Sequence, residues 1–231
     1  MGLSNTTAFQ RSVIGASMIV APLVFIAAEL LHAHFETEPS AYLDAIAANP
    51  DRWYGAHMLV LLGLALMLPA IVGVALIVRS SDPRLGTGSV SLAILGTVAL
   101  AALVGMELVA WQLAQSEIAR AEMIALWENT AENEAIFPLV IVALLLPVGW
   151  LLVGVGLYRG RAVSRWSAVL IGLAQLVGFA SELAGATKWI AVAAQVAFAV
   201  GLIPIGLRVL HAAESGSTGP TAQTREVAAS R

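Results

Sequence analysis

Residues 58–78 read MLVLLGLALMLPAIVGVALIV and contain no charged side chain. A helix needs about 20 predominantly apolar residues to cross the hydrocarbon core of a bilayer, so this segment is long enough to span a membrane. Its one helix breaker, Pro69, is of a kind that membrane helices tolerate because neighbouring groups satisfy the freed carbonyl. The segment therefore predicts a transmembrane helix that begins at about Trp53 and ends at about Val78.

The composition extends this prediction to the whole chain. Apolar residues make up 59% of the 231 residues and charged residues 12%, whereas an average soluble protein has about 25% charged residues. Cysteine is absent, which excludes disulfides, thiolate metal sites and a cysteine nucleophile. The small net charge of -3 excludes the basic footprint of a nucleic-acid-binding protein. The expected class is an all-α integral membrane protein whose main partner is the lipid bilayer.

The remaining apolar runs are similar in length to the first. They predict a bundle of six transmembrane helices in one domain, residues 12–211, with a short segment 1–11 before it. The tail 212–231 has few large apolar residues, so we expect it to be disordered. A cleavable signal peptide is the alternative for the first run, but that run exceeds the roughly 7–15 residues of such a segment. The predicted helices cover approximately 12–31, 53–78, 88–113, 136–158, 166–184 and 189–210.

Arginine and lysine are distributed unevenly between the two sets of loops. The positive-inside rule places the loops with more Lys and Arg on the cytoplasmic side. It predicts a multi-pass protein of the cell membrane with both termini in the cytoplasm. The arginine-rich side carries Arg11, Arg79, Arg84, Arg159, Arg161, Arg165 and Arg208, whereas the other side carries only Arg52, Arg120 and Lys188.

Three glutamates occur near the ends of apolar runs. Glu29, Glu107 and Glu182 lie on the first, third and fifth predicted helices, which all run outward and so place these residues at similar depth. Their spacing favours three tandem helix hairpins, and chance similarity between apolar sequences stays open as the alternative. A carboxylate in hydrocarbon costs several kcal/mol unless it is neutralised or paired, so each of the three needs a partner.

Two histidines are predicted at the same level as the glutamates. Glu29 and His32 are spaced i and i+3 on the first helix, and His57 lies one turn inside the second. Imidazole and carboxylate together are ligands for Zn, Mn, Fe or Cu, and helical bundles build metal sites from such side chains. We therefore predict a ligand site at Glu29, His32, His57, Glu107 and Glu182, in which Glu29, His32, His57 and Glu107 hold one divalent metal ion.

Three functions remain open from the sequence. The first is the binding or transport of a cation, protons or a small ligand at this site in the outer leaflet. The second is a membrane-embedded metal-dependent enzyme acting on a lipid or other hydrophobic substrate, for which no catalytic residue is identified. The third is a structural or assembly subunit of a membrane complex, in which the buried polar groups only pair with one another.

Overall fold

The computed structural model describes residues 6–32, 38–131, 134 and 136–217, and every regular element within them is a helix. Six helical segments are long and apolar enough to cross a membrane, with α6 and α7 together forming the fourth. The predicted all-helical fold and number of such helices are therefore confirmed. The helices are α1 (Ala8–Leu31), α2 (Pro39–Ala48), α3 (Pro50–Arg79), α4 (Pro83–Ala114), α5 (Arg120–Ala131), α6 (Phe137–Ala143), α7 (Leu145–Arg159), α8 (Arg165–Leu183) and α9 (Lys188–Ser217).

The six long segments form a closed ring in chain order. Each packs against the next along the chain, and α1 closes the ring against α9. One apolar core fills the interior of this ring, with Trp150 and Phe198 fully buried and packed edge to face at 4.8 Å between ring centroids. Arg11 at the start of α1 donates to the carbonyl of Ala212 on α9 at 3.2 Å, so the first and last helices meet at the same end of the bundle.

Several helices begin or end outside the predicted limits because of their caps. The Asn49 side chain accepts from the Arg52 amide, and α3 therefore begins at Pro50 rather than Trp53. Asp82 caps α4 in the same way, so that helix begins several residues before position 88. At the other end of the chain α9 continues to Ser217 and takes in the first part of the predicted disordered tail. The rest of that tail, residues 218–231, lies outside the described residues.

The fourth predicted helix is broken into α6 and α7 at Leu144. Pro147 lacks an amide hydrogen, so the carbonyl of Ala143 loses the donor that an uninterrupted helix would supply. The two pieces together, from Phe137 to Arg159, are long and apolar enough to cross a membrane. The break is therefore a local interruption within that segment, of the kind that a proline causes.

Small residues let α7 and α8 approach closely. A Cβ atom built on Gly154 would lie 2.6 Å from the Cα of Gly172 and 2.7 Å from the carbonyl oxygen of Ala168. These neighbours are backbone atoms, which cannot rotate away as the end of a side chain can. Close contact between small residues is a common way for membrane helices to associate, because lipid supplies no hydrophobic drive between them.

Gly154→Ala is expected to destabilise the bundle by about 1–3 kcal/mol, the usual cost of overpacking a close interface. Gly88→Ala is the matched control, because Gly88 is exposed on α4 with nothing within 4 Å of an added Cβ. Alanine favours a helix over glycine by roughly 0.5–1 kcal/mol, so the control should be neutral or slightly stabilising. Thermal unfolding in detergent measures both, and equal shifts in Tm would contradict the close approach.

The short helices α2 and α5 cover one end of the ring. Their residues Tyr42 and Trp127 belong to a second apolar cluster that also includes Trp53 at the start of α3. Arg120 on α5 forms an ion pair with Asp44 on α2 at 2.8 Å. We call α2 and α5 the cap, and the end of the ring that they cover the cap end. Both lie in the loops that the arginine distribution assigns to the outer side.

Candidate metal centre

His57 and Glu107 form a direct pair between α3 and α4 beneath the cap. His57 Nε2 lies 2.5 Å from a carboxylate oxygen of Glu107, and the side chains are 1% and 29% exposed respectively. The other ring nitrogen of His57, Nδ1, lies 2.8 Å from the carbonyl oxygen of Trp53 one turn earlier in the helix. The imidazole is thus held between a backbone acceptor and a carboxylate.

These contacts determine the proton count of the pair. A carbonyl oxygen only accepts, so Nδ1 of His57 carries a hydrogen and donates to Trp53. Nε2 then faces Glu107 either as a donor to the carboxylate or as an acceptor from the protonated acid. Both arrangements place one proton between the two atoms. A metal ion could replace this proton, because Nε2 would offer its lone pair while Nδ1–H stays anchored to the carbonyl, as in many metal sites.

His32 supplies a third donor from the end of α1. A ligand atom from each of His32, His57 and Glu107 lies within 4.8 Å of the others. The two imidazole rings are 5.0 Å apart between centroids. Bonds to zinc are about 2.0–2.2 Å for nitrogen and oxygen, which places tetrahedral donors about 3.3 Å apart. The observed separations lie on either side of this value, so small side-chain rotations would bring all three donors onto one ion.

The chain turns away from α1 directly after His32. Helix α1 ends at Leu31, and His32 itself has φ −59° and ψ 137°, outside the helical region. Only ψ is non-helical, and the amide of His32 still donates to the carbonyl of Ala28 at 2.8 Å, so this backbone does not overturn the predicted i, i+3 relation of Glu29 and His32. Arg52 holds this end, since its guanidinium donates to the carbonyl of Leu31 at 2.5 Å and to that of His32 at 3.5 Å.

The other two predicted site residues lie outside this group of three donors. Glu29 lies close enough to Glu182 and Lys188, at the ends of α8 and α9, for their charges to act on it. The five residues thus divide into two neighbourhoods. His32, His57 and Glu107 make the candidate metal centre, and Glu29, which we predicted as a metal ligand, is not among the donors that meet there.

Aromatic rings enclose the centre on its cap side. Trp53 stacks on His57 with 4.5 Å between ring centroids and lies 5.1 Å from His32. Tyr42 meets Trp53 edge to face at 5.1 Å, and Trp127 stacks on the Tyr42 ring at 5.3 Å. The rings form a continuous series from α5 to the imidazole of His57.

Tyr42 stays a neutral phenol in this setting. Burial raises the pKa of its hydroxyl above the ordinary range, and the charge of Glu107 raises it further. Both effects disfavour the phenolate, because a second negative charge would be placed in an apolar region near a carboxylate. Tyr42 therefore contributes a ring and a hydroxyl to the surroundings of the centre without adding charge.

Below the centre the bundle is closed by apolar side chains. Leu64 lies two turns beyond His57 on α3, and Val104 lies one turn before Glu107 on α4. Both are buried in the main core together with Phe25 of α1, whose ring packs against Gly63. We call Phe25, Leu64 and Val104 the apolar floor. Leu64 and Val104 thus lie deeper in the bundle than the donors on their own helices.

Sequence reasoning missed Arg52, Trp53 and Tyr42 as parts of the site. In the sequence, Trp53 marks only the beginning of the second predicted helix, Arg52 counts only as a loop charge, and Tyr42 has no assigned role. A signal was nevertheless present, because Trp53 precedes His57 by four residues and therefore shares its helical face. Tyr42 could not be placed, since its position depends on how α2 folds over the ring.

Arg52→Ala is expected to weaken binding of Zn²⁺ about 10-fold, at the lower end of the usual cost of removing a group that positions a metal ligand. The variant removes the donors to the end of α1, so His32 is no longer fixed beside His57. Arg120→Ala is the control, because Arg120 joins only α2 and α5 in the cap. Zinc affinities of the two variants measured by calorimetry test this, and an unchanged affinity in Arg52→Ala would exclude the positioning role.

No family model matches the sequence, and no curated protein or solved structure matches the chain significantly. What this site can do therefore follows from its own donor atoms and their surroundings.

Proposed function

We propose that this chain is a multi-pass membrane protein that binds one divalent transition-metal ion between His32, His57 and Glu107. The observation that carries the proposal is the convergence of these three donors from α1, α3 and α4 within 4.8 Å of one another. Two imidazoles and a carboxylate suit Zn²⁺ and the neighbouring transition metals, whereas Mg²⁺ and Ca²⁺ prefer oxygen ligands alone. In the proposed orientation both termini are cytoplasmic and the centre lies in the outer leaflet.

The apolar floor favours binding over open conduction. Phe25, Leu64 and Val104 are 9%, 2% and 6% exposed, and none of these side chains offers a metal ligand. Moving a divalent ion across this layer would require its dehydration among hydrocarbon side chains, which is very costly. Transport through this site would therefore need the three helices to move apart, and binding is the function that the present arrangement supports.

A metal-dependent enzyme is the second candidate, and the number of donors favours it. Structural zinc sites usually have four protein ligands, whereas catalytic sites have three and leave one position open for water or substrate. The three donors found together here match the second pattern. Hydrophobic molecules could reach such a centre from the bilayer, because Glu107 is 29% exposed on a helix of the ring.

Calorimetric titration of the detergent-purified protein with Zn²⁺ tests the proposal. We expect one ion per chain and the release of at least one proton, because the ion replaces the proton shared by His57 and Glu107. Repeating the titration in buffers of different ionisation enthalpy gives the number of protons released. His32→Ala should lower the affinity, whereas His211→Ala should not, since His211 lies on α9 at the opposite end of the bundle. Absence of saturable binding in the wild type would refute the proposal.

A further inference from the structure

The indole N–H of Trp53 is a buried donor that finds no acceptor in the part of the chain that the structure describes. Trp53 is 2% exposed, and its Nε1 atom has no hydrogen-bond partner among those residues. Buried polar groups in native proteins are nearly always hydrogen-bonded, so an exception of this kind often has a water, an ion or a ligand as its partner. The apolar contacts of the ring account for its burial but not for the unused donor.

This donor belongs to the immediate surroundings of the candidate metal centre. The Trp53 ring lies 4.5 Å from the ring of His57 and 5.1 Å from that of His32, between centroids. A molecule bound to an ion held by these two residues would therefore lie within a few Å of the indole. With three protein donors, a tetrahedral ion has one position left for such a molecule.

The charges of the centre indicate which class of molecule would occupy that position. A divalent ion with two neutral imidazoles and one carboxylate keeps a net charge of about +1. An uncompensated charge in an apolar region is costly, and a small anion on the open position would cancel it. An anion is also the best acceptor for a neutral N–H group.

We propose that the centre binds a small anionic ligand, such as hydroxide or a carboxylate group, that joins the metal ion and accepts a hydrogen bond from Trp53 Nε1. This inference rests on the proposed metal function. It assigns Trp53 as the residue that recognises the ligand, beside the three residues that hold the ion.

The face of the Tyr42 ring is the competing acceptor for the indole N–H. The two rings are 5.1 Å apart and nearly perpendicular, at 89°, a geometry that allows a weak N–H···π contact. Such a contact would satisfy Trp53 without any ligand. The two explanations make different predictions. Only a bound anion would make the hydrogen bonding of the indole N–H depend on what occupies the open position of the metal ion.

Anion binding to the Co²⁺-loaded full-length protein separates the two explanations. Co²⁺ serves as the probe because its visible absorption changes when a ligand enters its coordination shell. Azide is then titrated into the wild type and into Trp53→Phe, which keeps an aromatic ring beside His57 but removes the donor. We expect azide to bind the wild type and its affinity to fall about tenfold in Trp53→Phe, the loss typical of one hydrogen bond to a charged acceptor.

Trp127→Phe is the matched control, because Trp127 belongs to the same series of stacked rings and is not in ring contact with either histidine. Its azide affinity should equal that of the wild type. Failure of Co²⁺ to bind would overturn the metal function and this inference together. Binding of Co²⁺ with the same azide affinity in all three proteins would overturn the inference alone and assign the indole to the Tyr42 face.

A measurement on the wild type covers the case in which Trp53→Phe does not fold. The chain has six tryptophans, so its ¹⁵N-labelled indole groups give at most six N–H resonances. In the Zn²⁺-loaded protein, addition of azide should move one of them downfield, as expected for a new hydrogen bond. If no indole resonance moves although azide binds, Trp53 does not contact the ligand.

Discussion

Glu107→Gln is expected to lower the affinity for Zn²⁺ by more than about 100-fold. Removal of a partner behind a metal ligand already costs about 10–100-fold, and Glu107 is a ligand itself in the proposed centre. The substitution keeps the shape of the side chain and removes its charge. It also leaves His57 facing a neutral amide, which cannot share a proton with Nε2 as the carboxylate does. Calorimetry and elemental analysis of the purified variant measure the loss.

Glu128→Gln is the control for this change, because Glu128 is exposed on α5 and is not among the three donors. It removes the same charge from the same end of the molecule, so a general effect of surface potential would appear in both variants. The zinc affinity of Glu128→Gln should stay within about twofold of the wild type, since exposed charges at a distance are screened by salt. Equal losses in the two variants would rule out Glu107 as a ligand.

The second large effect concerns stability in the absence of metal. His57→Leu is expected to destabilise the protein by about 3 kcal/mol, because it leaves Glu107 beside an apolar side chain without its partner. This figure is the lower end of the range for breaking a buried pair, since Glu107 retains 29% of its exposure. Replacement of both residues by leucine should recover much of the loss, because no unpaired polar group remains. Unfolding of the single and double variants in detergent measures the coupling between the two residues.

The same double variant separates a binding site from a purely structural pair. It should be stable yet unable to bind Zn²⁺ above background, because two of the three donors are gone. If the double variant binds Zn²⁺ as the wild type does, the pair of His57 and Glu107 serves stability alone. Losses in the double variant that equal the sum of the two single losses would instead contradict the direct contact between His57 and Glu107.

The depth of the site within the bundle could be predicted from the sequence, but only some of the residues that form the site could. Counting apolar runs and turns places His57 and Glu107 at the same level, because a helix rises about 1.5 Å per residue. Rotation about each helix axis is not fixed by such a count. This rotation determines that Glu107 contacts His57. Glu29 instead lies near Glu182 and Lys188. Rotation depends on packing against both neighbours in the ring, which a single sequence does not reveal.

The surroundings of the site were the hardest part to predict. The short helix α2 runs from Pro39 to Ala48. Its fold over the ring depends on contacts far apart in the chain, such as the Tyr42 and Trp127 stack. His32 joins the site from the end of α1, and helical periodicity alone does not determine whether that end of the helix packs against His57.

X-ray absorption spectroscopy of the Zn²⁺-loaded protein tests the proposed centre most directly. We predict a first shell of nitrogen and oxygen at about 2.0–2.2 Å, with the outer-shell scattering of two imidazole rings. His57→Leu should reduce that contribution to one ring. A first shell of oxygen alone, without imidazole scattering in the wild type, would place the ion elsewhere and contradict the assignment of His32, His57 and Glu107 as its ligands.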